Sequence, residues 1–140
     1  MKRKYFLVVL FLILAIFLVG CGIITDEEKI RDVIDEYFLA INNQDWDKAR
    51  SYCIYNSGVY YETCDFEDYI DSLYPSVVII NCQVDIFDTI ITGDYASAYI
   101  DGSFTIITDD HPVTDNSSGH FYLQKVDNDW KISSQEYMVK

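Results

Sequence analysis

The stretch that decides the fold is Phe66-Glu67-Asp68-Tyr69-Ile70-Asp71-Ser72-Leu73-Tyr74-Pro75-Ser76-Val77-Val78-Ile79-Ile80-Asn81-Cys82-Gln83-Val84-Asp85-Ile86. Before Pro75 the apolar residues Phe66, Tyr69, Ile70 and Leu73 recur at helical spacing, behind Asp65 as a candidate cap. After Pro75 the period drops to two. Val78, Ile80, Cys82, Val84 and Ile86 alternate with Asn81, Gln83 and Asp85, which is the pattern of a half-buried strand. Helices therefore end where strands begin, and segregated elements of this kind define an α+β domain.

Working back from Pro75, Thr25-Asp26-Glu27-Glu28 reads as a capping box that opens a first helix. Ile30, Val33, Ile34, Tyr37, Phe38 and Ile41 place one apolar face on it, and Asn42-Asn43-Gln44 ends it. Asp45 starts a short second helix with Trp46, Ala49, Tyr52 and Cys53 on one side. Asn56-Ser57-Gly58 reads as a turn in a tyrosine-rich connection. Working forward, Thr92-Gly93-Asp94 is a turn into a second strand. Ala96, Ala98, Ile100, Gly102, Phe104 and Ile106 alternate there with Tyr95, Ser97, Tyr99, Asp101, Ser103 and Thr105. Residues 109–118 read as a polar loop. A third strand carries Phe121 and Leu123, Asp127-Asn128-Asp129 marks a hairpin, and Trp130, Ile132 and Met138 share a face of the last strand. The expected architecture is three helices packed on one face of a curved antiparallel sheet of about four strands.

The beginning of the chain reads differently. Lys2-Arg3-Lys4 precedes an apolar run from Tyr5 to Val19, and Leu18-Val19-Gly20-Cys21 closes it. This looks like a bacterial-type lipoprotein signal, in which the cysteine after a small residue becomes lipidated and forms the new N-terminus. The expectation is a signal peptide over 1–20, a lipid-anchored tether over 21–24 with palmitate-type acylation at Cys21, and a domain over 25–140. The apolar residues continue to Ile24, long enough for an uncleaved transmembrane anchor as the alternative. Either arrangement places the domain outside the cytoplasm. Three residues from Cys21 to Thr25 span at most ~10 Å, so the domain is held close to the membrane.

The chain has 140 residues, with 10 basic and 23 acidic. A charge this negative argues against a nucleic-acid partner and against lying flat on anionic lipid. Half of the residues are hydrophobic and 16% are aromatic, which excludes a disordered chain. Besides Cys21 there are Cys53, Cys64 and Cys82, which allow at most one bridge and one thiol. Cys53 ends the second helix and Cys64 precedes the third in this reading. Cys53–Cys64 is thus the expected disulfide, with Cys53–Cys82 and Cys64–Cys82 as competitors. No CxxC pair occurs, His111 and His120 are isolated, and Asp109-Asp110-His111-Pro112 with Asp115 lacks the order of a calcium loop. No metal or cofactor is expected.

Three stretches carry a family resemblance. They are Ala40-Ile41-Asn42-Asn43-Gln44-Asp45-Trp46-Asp47-Lys48-Ala49, the Gly93-Asp94-Tyr95-Ala96 turn, and the terminal hairpin Phe121 to Ile132. Together with the element order they resemble the nuclear transport factor 2-like superfamily, a cystatin-like α+β cone. The resemblance spans Thr25 to Lys140. It implies a fold and, among small lipoproteins of this architecture, a location more than an activity. Some relatives, such as ketosteroid isomerase, are enzymes, and that chemistry needs carboxylates and a tyrosine inside an apolar pocket. The inward strand positions read here are almost purely apolar. Asp88 and Glu136 are in phase with them only near strand ends, where a bulge can rotate them out.

The outward positions Asn81, Gln83, Asp85, Tyr95, Tyr99, Asp101, Tyr122 and Tyr137 instead combine tyrosines with short polar side chains, a composition suited to protein contact. The resemblance adds that this face is often where two subunits of the superfamily meet. The expectation is a membrane-tethered, non-catalytic binding or interaction module with a homodimer or protein partner on the outer face. The alternative is a small-molecule carrier or enzyme that uses the interior.

Overall fold

Thr25 caps the first helix. Its hydroxyl accepts from the Glu28 amide at 3.2 Å, and the Glu28 carboxylate accepts from the Thr25 amide at 2.8 Å. This is the reciprocal box expected of the sequence, and it opens α1, Asp26–Asn42. Asp45 caps the short α2, Trp46–Ser51, and Ser57 caps α3, Gly58–Ser72. The computed structural model describes residues 24–109 and 111–139, without the side chains of the last two. Cys21 and the expected signal peptide lie outside the described residues.

Four strands follow: β1 Val78–Thr92, β2 Tyr95–Thr108, β3 His111–Val126 and β4 Asp129–Val139. They pair antiparallel in the order β1-β2-β3-β4. The fold is therefore α+β, with three helices ahead of one open antiparallel sheet. The helices lie against one face, with α1 approaching both β1 and β4. Ile30, Ile34, Phe38 and Ile41 of α1 meet Ile80, Ala98, Ile100, Phe121, Leu123 and Ile132 in one contiguous buried core. The end of α1 is fastened by Asn42, whose side-chain amide bonds both the carbonyl (3.0 Å) and the N–H (2.6 Å) of Cys82 on the edge strand. A domain of this length with a single core of large apolar side chains holds together without metals or disulfides.

Three readings of the sequence are corrected. α3 begins at Gly58, not after Asp65, because the Ser57 hydroxyl accepts from the Tyr60 amide and makes an N-cap of the supposed turn. Cys64 is consequently inside α3 rather than ahead of it, and Cys53, Cys64 and Cys82 are all free thiols. The expected Cys53–Cys64 bridge is not formed. Residues 111–118 are not a loop but the first half of β3, which pairs with β2 from His111 opposite Thr108 onward.

Two bulges decide which side chains face inward. One extra residue, Asp88 at φ 33°, interrupts β1 between Phe87 and Thr89. Another, Ser133, interrupts β4, since Tyr122 pairs with Ser134 while Leu123 pairs with Ile132. An inserted residue inverts the alternation beyond it. Past Ser133, Gln135 and Tyr137 therefore point to the helical side, and Glu136 points out.

Candidate functional site

The β4 bulge and the polar half of β3 together build a cavity. Cross-strand partners share a face, so Val113, Asp115 and Ser117 line up with their partners Ile106, Phe104 and Gly102 on the inner side. Tyr137 joins them opposite Gly119, and Gln135 opposite Phe121. From the helices come Tyr37 and Ile41 on α1 and Glu62, Thr63 and Phe66 on α3. These twelve residues other than glycine and Phe121 enclose about 440 Å³, within the ~300–1,000 Å³ usual for small-molecule sites. The cavity sits at the β2–β3 hairpin end of the sheet.

Its walls are apolar where Ile41, Phe66, Phe104, Ile106 and Val113 stand, and its polar groups are wired to one another. Thr63 is buried at 1% exposure, and its hydroxyl donates to the Val59 carbonyl at 2.8 Å. That uses its only proton, so the 3.0 Å contact with Tyr37 is a bond donated by the Tyr37 phenol. The Tyr137 phenol donates to Gln135 Oε1 at 2.8 Å. Gln135 Nε2 in turn donates to the Glu62 carboxylate. The opposite amide orientation would set a carbonyl oxygen against a carboxylate. Burial pushes the pKa of both phenols well above the ordinary tyrosine range. Tyr137 keeps 42% of its surface accessible because it lines an open cavity, while its ring meets Phe121 edge-on at 6.3 Å.

Chemically, this arrangement is equipped to hold and orient a ligand rather than to transfer a proton. Both tyrosines stay neutral at physiological pH, and the two carboxylates, Asp115 and Glu62, are exposed rather than desolvated. No three His, Cys, Asp or Glu side chains gather as a metal-holding group among the described residues. The cavity was not legible as such in the inward strand positions. Asp115, Ser117 and Gln135 were missed because they belong to a strand read as a loop and to a segment beyond a bulge. Tyr137, expected on the outer face, is an interior residue, and Glu136, expected near the inner phase, is an outer one.

The other residues expected on the outer face are there. Asn81, Gln83, Asp85 and Tyr95 are exposed, and Tyr99, Asp101 and Tyr122 are half-buried. Phe87, Tyr99, His120 and Glu136 stand in one transverse row across all four strands. The Phe87 and Tyr99 rings lie 6.4 Å apart and the Tyr99 and His120 rings 5.2 Å apart. His120 also stacks on Tyr122 at 6.1 Å, whose phenol donates to Glu136 at 3.0 Å. Asp85 and Asp101 face each other one step along.

No protein-family model and no curated protein matches the chain. Solved structures do. A ketosteroid isomerase-like protein from Erwinia carotovora atroseptica superposes with a TM-score of 0.64 over 81% of this chain and 96% of its own, at 14% identity. A nuclear transport factor 2-like family protein from Streptomyces avermitilis gives a TM-score of 0.66 over 82% and 97%, at 12% identity. A nuclear transport factor 2-like superfamily protein from Salmonella enterica serovar Typhimurium gives 0.63 over 80% and 89%, at 16% identity. The chain has the nuclear transport factor 2-like fold, an α+β cone of three helices on a four-stranded antiparallel sheet. At these identities the likeness extends to the fold alone.

Proposed function

We propose that this chain is a non-catalytic binding module held at the outer surface of a membrane by a lipidated Cys21, with the interior cavity as its small-molecule site. One observation carries the reading of the site. The Ser133 bulge turns Gln135 and Tyr137 inward, where they meet Glu62, Tyr37 and Thr63 around an apolar space. A fold that needed only a core would fill that space with side chains. What supports the non-catalytic reading is the groups present: proton transfer of the isomerase kind calls for a desolvated carboxylate, and both cavity carboxylates, Glu62 and Asp115, reach solvent.

The tether supports an orientation. Lys125 Nζ lies 2.8 Å from Asp26 Oδ2, which pins the start of α1 beside the β3–β4 hairpin. Phe104 and Asp115 lie nine or more residues along the strands from that end, roughly 30 Å at ~3.3 Å per residue. With the anchor at Cys21, the cavity would lie at the end of the domain remote from the membrane. Nile red, a neutral apolar dye, tests the site on the soluble domain, residues 25–140. Its fluorescence should rise with the natural domain and not with Ile106→Trp, which fills the cavity. Equal enhancement by a folded Ile106→Trp variant would place the dye elsewhere. Mass spectrometry of membrane-extracted protein tests the anchor: unmodified Cys21 in a chain starting at Met1 would favour a transmembrane segment.

The outer face supports a second reading, a contact with another copy or a protein partner. The in-register row Phe87–Tyr99–His120 favours it, because aromatic rings on an exposed sheet face suit protein contact.

A further inference from the structure

The proton inventory of the cavity narrows what it takes. The Thr63 proton goes to the Val59 carbonyl, the Tyr37 proton to Thr63, and the Tyr137 proton to Gln135. One Gln135 N–H goes to Glu62. What remains pointing at a ligand is mostly acceptor: the phenol oxygens of Tyr37 and Tyr137 and the carboxylates of Glu62 and Asp115. The free donors are the Ser117 hydroxyl and the second N–H of Gln135. Among the described residues, no lysine, arginine or histidine lines the space. The surrounding field has the same sign, since the whole chain carries a formal charge of −13.

An anionic ligand would meet two carboxylates and almost no donors. A cation that brings its own protons would satisfy acceptors the protein has left open. We infer that the cavity binds a cationic amphiphile, an ammonium group on an aromatic or branched aliphatic body. The ammonium donates to Asp115 and to the Glu62 side of the wall, and the body packs on Phe66, Phe104 and Ile106. Asp115 is the specificity-determining residue, because Glu62 is already shared with Gln135. This assignment rests on the reading of the cavity as a small-molecule site, and it names the class that site selects.

Three probes with one ring system and different charge decide the matter: tryptamine, 3-ethylindole and indole-3-propionate. Each is titrated by calorimetry into the soluble domain, whose fold is checked by circular dichroism. Tryptamine should bind at least tenfold more tightly than the propionate, a factor on the order of one charge-assisted hydrogen bond. Asp115→Asn should weaken tryptamine about tenfold and leave 3-ethylindole unchanged. Glu62→Gln, on a different element, should weaken tryptamine as well and guards against a local effect of the β3 substitution. If 3-ethylindole binds and is excluded by Ile106→Trp, but the propionate matches tryptamine or Asp115→Asn changes nothing, the cavity stands as a site and the cationic preference is overturned. If none of the three binds, both the preference and the proposed site are overturned.

Discussion

Asp115 stands directly opposite Phe104 in the β2–β3 register, so a carboxylate and an aromatic ring share one wall of the interior. In a sheet face devoted to packing, the partner of a core phenylalanine would be apolar. On β2 and β3 the buried apolar positions end at Ile100 and Phe121, while on β1 they continue to Cys82 and Ile80. Beyond Ile100 and Phe121 the same face opens into a cavity. Along β2 and β3 the domain is thus divided into a filled end near the start of α1 and a hollow end at the β2–β3 hairpin.

The division depends on close approach of β4 to β3 at Gly119. A Cβ built there would lie 2.0 Å from the Glu136 carbonyl oxygen, so no side chain fits without moving backbone. Gly119→Ala should destabilise the domain by about 1–3 kcal/mol, the usual cost of overpacking. It should also weaken Nile red binding, since Gln135 and Tyr137 flank the contact. Urea denaturation checks the first part, and an unchanged midpoint would contradict it.

The two interior phenols give the domain an alkaline limit. Burial raises the pKa of Tyr37 and Tyr137 above the ordinary value of 10.0. The folded state therefore keeps protons that the unfolded state gives up. Their stabilising effect is complete below about pH 10 and is lost as pH rises toward the folded values. Absorbance titration at alkaline pH should show the buried Tyr37 ionising only as the domain unfolds and Tyr137 ionising above the ordinary tyrosine range. Tyr37→Phe and Tyr137→Phe should each remove the corresponding ionisation. Ionisation of every tyrosine near pH 10 with the fold intact would contradict this.

The thiols should differ in reactivity. Burial pushes Cys53 and Cys82 up to about 12, whereas Cys64 is half-buried on α3. Alkylation of the native soluble domain at pH 8 should modify Cys64 first and leave the other two until denaturant is added. A domain isolated under oxidising conditions with no alkylatable Cys53 or Cys64, even when unfolded, would show that the bridge forms after all.

Much of the fold was legible, and the reasons are physical. The capping box of α1 and the switch of period after Pro75 are local signals that tertiary packing reinforces. The site was less so. The first half of β3, His-Pro-Val-Thr-Asp-Asn-Ser-Ser, faces solvent on one side and an open cavity on the other. Neither side demands apolar residues, so alternation is absent and the segment resembles a loop. The Ser133 bulge has no composition of its own, yet it moves Tyr137 from the outer face to the inner and Glu136 the other way. Ser57 looked like part of a turn because capping residues and turn residues are the same types.

The outer face has its own test in Tyr99, half-buried in the row between Phe87 and His120. If that row is a contact surface, Tyr99→Ala should weaken self-association or partner capture by ~1 kcal/mol or more, the scale of an interface anchor. Sedimentation of the soluble domain and a pull-down from membranes read this out. Unchanged behaviour in both would count against the face.

If the domain takes up a small molecule, the interior cavity and not the outer sheet face should receive it. Amide chemical shifts of the isotope-labelled soluble domain during titration with tryptamine test it most directly. The account predicts the largest changes at Thr63, Asp115, Ser117, Gln135 and Tyr137, with Asn81, Gln83, Asp85 and Tyr99 almost still. Shifts concentrated on those four outer residues, with the cavity residues unmoved, would contradict it.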